Sequence, residues 1–362
     1  MKKFRVGIIG ATGMVGQRLV SLLSEHPWFD LSALAASTSS AGKTYPEAVS
    51  GRWMMPSPMP EKVRGMKVLD AKEIGDVREL VDFVFCAVSL PKDETRELEE
   101  AYARAEVPVI SNNSACRMLP DVPMIIPEIN SEHAKVIPAQ QKRLGCSRGF
   151  IVVKPNCSIQ SFVPPLTPLM PFEMLEIIVS TYQAVGGAGR TMDSWPEMKD
   201  NVIPFIPGEE EKSEAEPLKI WGHLSPDKKG IVSLSAPVIS AQCVRVPVSD
   251  GHLATVSVKF KKKPSREDIL QIWKGYRTLP QELNLPSAPS PFLIYQEEAD
   301  RPQTALDRDA GNGMAVVIGR LRKDPIMDWR FVCLSHNTLR GAAGGGVLTA
   351  ELLCAQGFIT HQ

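Results

Sequence analysis

The chain lacks an excess of charge of either sign, because 41 Lys and Arg residues balance 41 Asp and Glu residues. Aromatic residues make up only 6% of it, and no apolar run approaches the roughly 20 residues of a membrane-spanning helix. Proteins that bind nucleic acid usually present a basic surface, which this composition does not provide. These absences predict a protein that binds neither nucleic acid nor membrane.

The seven cysteines are odd in number, widely scattered and without a C-x-x-C pair. A disulfide framework or a zinc site requires paired or clustered cysteines. The pattern is typical of reduced thiols in the cytoplasm, and no cluster has the spacing of metal ligands. The start, MKKFRVGIIGATGMVG, has the lysines of a signal peptide, but glycines interrupt its apolar run. We therefore predict a cytoplasmic protein without a metal site.

A glycine-rich turn opens the chain. An apolar strand over residues 4–9 leads into G-A-T-G-M-V-G and then into a helical pattern over residues 15–23. Glycines 10, 13 and 16 permit a tight turn, close approach of backbone N–H groups to a pyrophosphate, and close packing of the helix on the strand. The alternative is an ordinary strand-to-helix turn. With further alternation of strands and helices at 83–111, the sequence predicts an α/β fold with a Rossmann-type, doubly wound parallel sheet.

The second predicted strand, residues 31–36, ends in the polar stretch A-S-T-S-S-A-G-K. NAD-binding sites usually place an acidic residue here, on the ribose 2′-hydroxyl. Hydroxyls at Ser37, Ser39 and Ser40 with the cation of Lys43 suit a 2′-phosphate instead. The sequence therefore favours NADP, the alternative being a plain polar loop.

The chain has the length of two domains, and the alternation of strand and helix patterns ends after Gly145. Proline-rich loops separate β-branched segments that predict a mixed sheet, at 151–153, 176–184, 231–236, 255–260 and 315–321. The last stretch, R-G-A-A-G-G-G-V-L-T-A-E-L-L, predicts an apolar helix that docks back on the first domain. We predict a nucleotide-binding domain of residues 1–153 plus 340–362, and a catalytic domain of residues 154–339.

Cys157 follows K-P-N and precedes the apolar segment 158–163, which Pro164 and Pro165 are expected to interrupt. At a helix N-terminus the unsatisfied N–H groups and the helix dipole favour a thiolate, so Cys157 is a candidate nucleophile. The alternative is a small, buried and inert cysteine, as predicted for Cys86 and Cys354.

Six short motifs are distributed along the chain. They are N-N-S-A-C-R-M at 112–118, P-N-C-S at 155–158, T-Y-Q-A-V-G-G-A-G at 181–189, G-E-E-E-K at 208–212, C-V-R-V-P-V-S-D-G-H at 243–252 and N-T-L-R-G-A-A-G-G-G at 337–346. Together they resemble the aspartate-semialdehyde dehydrogenases of fungi and archaea. They occur in the family's order, and the resemblance covers residues 4 to about 359. It implies a second α+β domain for catalysis and dimerisation, and a homodimer or homotetramer.

The resemblance also implies roles for individual residues. Cys157 would be the nucleophile that forms a thioacyl intermediate, His252 its acid/base partner, and Gln183 the residue that orients the intermediate. The substrate contacts implied are Arg117, Asn156, Glu209, Lys212 and Arg245. The predicted NADP contacts are Gly10, Thr12, Gly13, Met14, Val15, Ser37, Ser39, Ser40, Ser89, Gly187 and Asn337.

Among these substrate contacts, Arg245 would hold the substrate carboxylate, Glu209 its ammonium, and Arg117 with Lys212 its phosphate. Glu209 is chosen among three consecutive glutamates because the family places its acid three residues before the lysine.

Three alternatives to this function remain at the level of sequence. Malonyl-CoA reductases and N-acetylglutamyl-phosphate reductases share the fold and the cysteine chemistry, but neither substrate has a free amino group for Glu209. A nucleotide-binding scaffold with a dead site would be expected to have lost the nucleophile, the base or the anion-binding positions. Each site residue also has a structural alternative, such as a surface charge for Arg117 or Lys212 and a turn residue for His252.

Overall fold

The structure, a computed structural model, describes residues 2–362. Its first half forms a six-stranded sheet in which every neighbouring pair is parallel. The strand order is 3-2-1-4-5-6, which confirms the doubly wound Rossmann-type sheet. The strands are β1 (Phe4–Ile9), β2 (Phe29–Ala36), β3 (Val68–Asp70), β4 (Phe83–Cys86), β5 (Val109–Ser111) and β6 (Ile151–Val153).

Helices connect these strands as the right-handed crossovers of such sheets require. The longest is amphipathic, with its charged face outward and Leu98 and Tyr102 buried against the sheet. The helices of this half are α1 (Met14–Leu23), α2 (Tyr45–Ala48), α3 (Glu61–Arg64), α4 (Ile74–Arg78), α5 (Lys92–Arg104), α6 (Pro127–Asn130) and α7 (Ile137–Leu144). A 3₁₀-helix at Ser131–Val136 joins the last two.

The second half forms a six-stranded mixed sheet, in the order 10-7-11-14-13-12. Its strands at 174–183, 238–245 and 252–260 alternate buried and more exposed side chains, because one face packs on the core. They are β7 (Met174–Gln183), β10 (Val238–Arg245), β11 (His252–Phe260), β12 (Leu293–Gln296), β13 (Val316–Lys323) and β14 (Trp329–Ser335). A separate hairpin pairs β8 (His223–Leu224) with β9 (Ile231–Val232).

The helices of the second half pack on the inner face of the mixed sheet or return to the first sheet. They are α8 (Ile159–Leu166), α9 (Glu209–Ile220), α10 (Arg266–Gly275), α11 (Leu279–Glu282), α12 (Thr304–Asp307) and α13 (Ala343–Ala355). Three 3₁₀-helices complete this half, at Thr167–Phe172, Val185–Ala188 and Pro196–Met198. No helix among residues 2–362 is long and apolar enough to cross a bilayer.

Three expectations about this half were wrong. Segment 151–153 is the edge strand of the first sheet, since its continuous apolar run pairs in parallel with β5. Only Ile231–Val232 of segment 231–236 is a strand, because Pro237 lacks the N–H that a ladder needs, and β10 begins after it. Pro164 and Pro165 do not interrupt α8, which continues through both.

The C-terminal helix α13 docks on the first sheet, as expected. Val347, Leu348 and Leu352 join the buried cluster that contains Val6 and Ile8. A buried hydrogen bond adds a polar contact, with His26 Nε2 2.8 Å from Glu351 Oε1. The chain therefore returns at its end to the half in which it began.

Candidate active site

The register of the mixed sheet brings three predicted site residues to one edge. Gln183 ends β7 and Arg245 ends β10, and the two are paired neighbours in these parallel strands. The antiparallel strand β11 begins with His252 at the same edge. Its partner β14 ends there too, with Ser335 opposite His252, and Asn337 follows two residues later. One sheet edge therefore collects residues spread over more than 150 positions.

The first sheet contributes the opposite wall. Arg117 follows β5 and Cys157 follows β6, so both lie beyond the carboxyl ends of parallel strands, where such sheets form their crevices. The walls enclose a cavity of about 440 Å³. It is lined by Val15, Asn112, Ser114, Arg117, Lys154, Asn156, Cys157, Gln183, Gly186, Gly187, Ala188, Ile206, Glu209, Lys212, Arg245, Asn337, Thr338, Gly341 and Ala342.

Cys157 lines this cavity and is in contact with the buried His252, with Sγ 3.4 Å from Nε2. The backbone N–H of Ala184 donates to the other ring nitrogen, Nδ1, at 3.1 Å. A nitrogen that accepts carries no proton, so the neutral ring holds its proton on Nε2. In this arrangement His252 donates a hydrogen bond toward the sulfur instead of accepting the thiol proton.

Burial dominates the electrostatics of this pair. It raises the pKa of Cys157, with the negative charge of Glu209 acting in the same direction, while Lys154, Arg117 and Arg245 oppose it. The helix start, which lies two residues beyond Cys157, does not offset this effect of burial in the ligand-free site. Burial likewise lowers the pKa of His252 to about 3, which keeps the ring neutral.

Glu209 joins three other predicted residues of the site. Its Oε1 accepts hydrogen bonds from Asn156 Nδ2 at 2.9 Å and from Lys212 Nζ at 2.8 Å, and its Oε2 accepts one from Gln183 Nε2 at 3.2 Å. The position at the first turn of α9 suits a carboxylate, because the helix dipole is positive there. The choice of Glu209 among the three glutamates agrees with this geometry. Glu210 instead accepts the backbone N–H of Cys243.

The two arginines of the site are anchored differently. Arg117 forms a buried ion pair with Glu216, Nη1 to Oε1 at 2.9 Å, and donates from Nε to the carbonyl of Lys154. Arg245 donates from Nη1 to the carbonyl of Ala184 at 2.7 Å and forms no ion pair with the described residues. A guanidinium has five N–H donors, so both retain free donors for an anion.

Three residues that line this cavity, or that hold its lining residues in place, were not predicted from the sequence. Glu216 holds both Arg117 and, through Oε2, the backbone N–H of Asn156 at 2.6 Å. Asn112 has a buried side-chain amide in which neither polar atom finds a partner among the described residues. Lys154 lies within the K-P-N-C stretch itself. The stretches that marked the site also contain Asn112 and Lys154, but nothing in the sequence pairs Glu216 with Arg117.

A second cavity, of about 490 Å³, lies over the glycine-rich turn. Its wall includes most of the predicted cofactor contacts, namely Gly10, Thr12, Gly13, Ser37, Ser39 and Ser89. Val15, Gly187 and Asn337 line the active-site cavity instead. Met14 and Ser40 line neither cavity, and Ser40 is buried under its own loop, where its N–H donates to the Ser37 carbonyl. The wall also holds Thr38 of the polar stretch after β2, together with Asp70 and Lys72, which the sequence did not indicate.

The residues present fit a dinucleotide. Gly10 has φ of 91°, and a Cβ on it would lie 2.4 Å from the carbonyl of Ala87. A Cβ on Gly13, by contrast, would meet only the Gly10 carbonyl oxygen at 3.7 Å, an ordinary contact, which leaves its backbone approachable by a phosphate. At the active-site end Asn337 accepts from the Gly251 N–H through Oδ1, while its buried Nδ2 has no partner among residues 2–362. That free amide donor suits the carboxamide of a nicotinamide.

Comparison with known proteins agrees with this arrangement. The model of the semialdehyde dehydrogenase NAD-binding domain matches residues 5–137, and that of the semialdehyde dehydrogenase dimerisation domain matches residues 166–340. The aspartate-semialdehyde dehydrogenase of Archaeoglobus fulgidus is 42% identical over 359 residues, 99% of this chain and 100% of that protein. The chain belongs to the aspartate-semialdehyde dehydrogenase family. The Saccharomyces cerevisiae member is 40% identical over 367 residues, 98% of each chain.

Solved structures of this family share the fold. The aspartate-semialdehyde dehydrogenase of Candida albicans, determined with NADP, superposes with a TM-score of 0.88 at 37% identity, over 99% of this chain and 100% of that one. The Vibrio cholerae aspartate-semialdehyde dehydrogenase II complexed with ASA superposes with a TM-score of 0.72 at 26% identity, over 98% of this chain and 99% of that one. The predicted family is thus confirmed.

Proposed function

We propose that the protein is an NADP-dependent aspartate-semialdehyde dehydrogenase. It reduces L-4-aspartyl phosphate to L-aspartate 4-semialdehyde with release of phosphate, in the biosynthesis of lysine, threonine, methionine and isoleucine. The observation that carries the proposal is the single cavity whose lining places Cys157, in contact with His252, beside Glu209 and Arg245. With Arg117 and Lys212 of the same lining, these are the groups that the reaction and the three charged groups of its substrate require.

Cys157 is the nucleophile. The sulfur bonds to the acyl carbon as the bond from that carbon to the phosphate oxygen breaks, and the thiol proton leaves with the phosphate. One difficult reduction is thereby replaced by two easier steps through a thioester. When bound, NADPH supplies the hydride that reduces this thioester. The tetrahedral adduct then loses the sulfur as the aldehyde forms.

His252 acts at the sulfur and at the reacting oxygen as a hydrogen-bond donor. With its proton on Nε2, the ring donates to the acyl oxygen as negative charge develops there, and to the sulfur as it departs. The Ala184 N–H fixes this orientation of the ring. Gln183, bonded to Glu209, is placed at the same edge to orient the acyl group.

The substrate is recognised charge by charge. Arg245 retains the planar donors that bind a carboxylate in two hydrogen bonds. Glu209 complements the ammonium group, and its Oε2 accepts only one hydrogen bond from the described residues, which leaves room for another donor. Arg117 and Lys212, with Asn156 between them, form the phosphate site.

The cofactor lies across both cavities in this proposal. Ser37 and Ser39 are exposed at the end of β2, where their hydroxyls are 2.9 Å apart and the Lys43 ammonium binds the Ser39 carbonyl. Hydroxyls and cations at this point suit a 2′-phosphate. Residues 1–153 with 340–362 form the cofactor domain, and residues 154–339 the catalytic domain.

The outer face of the mixed sheet supports an oligomer. Ile178 on β7 and Val238 on β10 point outward on the same face and are 47% and 66% exposed, with Tyr182 beside them at 37%. Large apolar side chains grouped on one open sheet face usually meet a partner. We infer that a second copy covers this face, in a homodimer or in a homotetramer built from it.

The test is a spectrophotometric assay in the direction of aspartyl phosphate formation. Protein, aspartate semialdehyde, phosphate and NADP should produce reduced nicotinamide at a rate that depends on phosphate. Malonate semialdehyde with coenzyme A, and N-acetylglutamate semialdehyde with phosphate, test the two related activities. A preference for either alternative, or no turnover with any of them, would contradict the proposal.

A further inference from the structure

Lys154 is a buried cation of the active-site cavity whose role the family resemblance does not supply. It lies three residues before Cys157, is only 3% exposed, and lines the same cavity. Its backbone is fixed on both sides, since its N–H donates to the Ser111 carbonyl at 2.8 Å and its carbonyl accepts from Arg117 Nε at 3.0 Å. The position of the side chain is therefore set by the end of the first sheet.

The ammonium of Lys154 lacks a counter-ion. Its Nζ donates to the Pro155 carbonyl at 2.5 Å, and among residues 2–362 it forms no ion pair. An ammonium has three donors, and burying it without an opposite charge is costly. Such a group is a candidate functional residue, because an anion that forms during the reaction can supply the negative charge that the protein does not provide.

The other cations of the cavity are already assigned. Arg117 is paired with Glu216 at 2.9 Å, and Lys212 with Glu209 at 2.8 Å. Arg245 has no carboxylate partner, but under the proposed function it receives the carboxylate of the substrate. Lys154 is left with no protein or substrate carboxylate to neutralise it.

Cys157 lines the same cavity as Lys154, and its thiolate is an anion that the reaction creates on the protein itself. His252 does not provide an opposite charge for it, because the ring is neutral and its Nδ1 accepts the Ala184 N–H. We propose that Lys154 is a further active-site residue whose ammonium stabilises the Cys157 thiolate from within the cavity. The inference rests on the proposed function only for the identity of the reacting sulfur.

The charges around the two groups agree with this assignment. Burial and the charge of Arg117 lower the pKa of Lys154 to about 7, while the charge of an ionised Cys157 raises it. Among the positive charges that lower the pKa of Cys157, the charge of Lys154 has the largest effect. The charged groups facing the two are Arg117, Glu209, Glu216, Arg245 and Arg340, with the neutral ring of His252 at the sulfur. Ionisation of the thiol therefore keeps the proton on the lysine.

The test measures the rate at which iodoacetamide alkylates Cys157, as a function of pH, in the ligand-free protein. Mass spectrometry of the Cys157 peptide separates this reaction from the other six cysteines. Lys154→Met should move the midpoint of the profile upward by at least one pH unit, which lowers the rate at neutral pH about tenfold. Lys154→Arg, which keeps the charge, should restore most of the rate. Lys274→Met, at an exposed position, is the matched control and should leave the profile unchanged.

An unshifted midpoint in folded Lys154→Met protein would overturn the proposal, as would equal shifts in Lys154→Met and Lys154→Arg. Circular dichroism checks folding, and Lys154→Gln replaces Lys154→Met if the latter unfolds. If neither neutral variant folds, ultraviolet titration of the thiolate in Lys154→Arg is compared with the unmodified protein, and a full unit of difference would overturn the proposal. Because no substrate or cofactor enters these measurements, their outcome is independent of the dehydrogenase assay.

Discussion

His252 shows how one backbone contact decides the chemistry of a side chain. The sequence identified the residue through the stretch that ends in D-G-H, but it could not show which ring nitrogen carries the proton. That depends on the Ala184 N–H, which lies 68 positions away and reaches Nδ1 only because β7 and β11 are paired. The sequence likewise placed Cys157 at a helix start, yet burial and Glu209 reverse the expected shift of its pKa. The sequence was therefore sufficient to predict which residues form the site. Their protonation states depend on contacts that only the folded structure shows.

Gly187 must lack a side chain for the site to work. A Cβ at this position would lie 2.8 Å from both Cε1 and Nε2 of His252 and 3.2 Å from Nη1 of Arg245. We expect Gly187→Ala to lower kcat/KM by at least about tenfold, a loss of roughly 1.4 kcal/mol, because the ring or the guanidinium must move. Steady-state kinetics check this, with Gly75→Ala as control since no atom lies within 4 Å of its added methyl. Equal kinetics for both variants would show that the site tolerates the displacement.

At the scale of elements, strand register assembles the site, and sequence patterns predicted this only in part. The alternation of strands and helices predicted the first sheet, because buried parallel strands are short apolar runs. The strands β10 and β14 were not recognised, although β10 carries Arg245 and β14 leads to Asn337. Family motifs supplied these residues where periodicity did not. Glu216 and Asp70 were missed because their roles arise from contacts between distant elements.

The loop after β2 sets the preference for the cofactor. Ser37, Thr38 and Ser39 line the cofactor cavity, while the one acidic residue in that wall, Asp70, accepts the N–H of Lys72. We expect Ser39→Glu to weaken NADP binding at least about tenfold, because its carboxylate repels the 2′-phosphate, and to change NAD binding little. Fluorescence titration with both nucleotides measures this, and Ser39→Gln controls for size. A similar loss for NAD, or tighter NAD than NADP binding by the unmodified protein, would refute the role of this loop.

At the scale of the whole molecule, buried polar contacts join segments that lie far apart along the chain. Arg340, just before α13, donates from Nη1 to Glu128 Oε2 at 2.9 Å and from Nη2 to Glu128 Oε1 at 2.5 Å. The same guanidinium donates from Nε to the Met314 carbonyl and lies over the ring of Phe292. Composition and periodicity did not predict this pair, because neither distinguishes a buried charged residue from one on the surface.

Removing one partner of this pair should be costly. Arg340→Leu leaves the Glu128 carboxylate buried without its counter-ion, and we expect a loss of about 3–5 kcal/mol in the free energy of unfolding. The exposed pair of Lys229 and Asp227 provides the control, because Lys229→Leu should cost less than about 1 kcal/mol. Urea denaturation followed by circular dichroism compares the two. Similar small losses in both variants would mean that the buried pair contributes little.

The most direct test of the central claim is a single-turnover experiment without phosphate. The protein is mixed with aspartate semialdehyde and NADP, and reduced nicotinamide is followed together with the mass of the Cys157 peptide. We expect a burst of about one equivalent per active site, an aspartyl group on Cys157, and its release on addition of phosphate. Cys157→Ser should show neither burst nor adduct. Phosphate-dependent turnover without an adduct on Cys157, or a full burst in Cys157→Ser, would contradict the covalent mechanism.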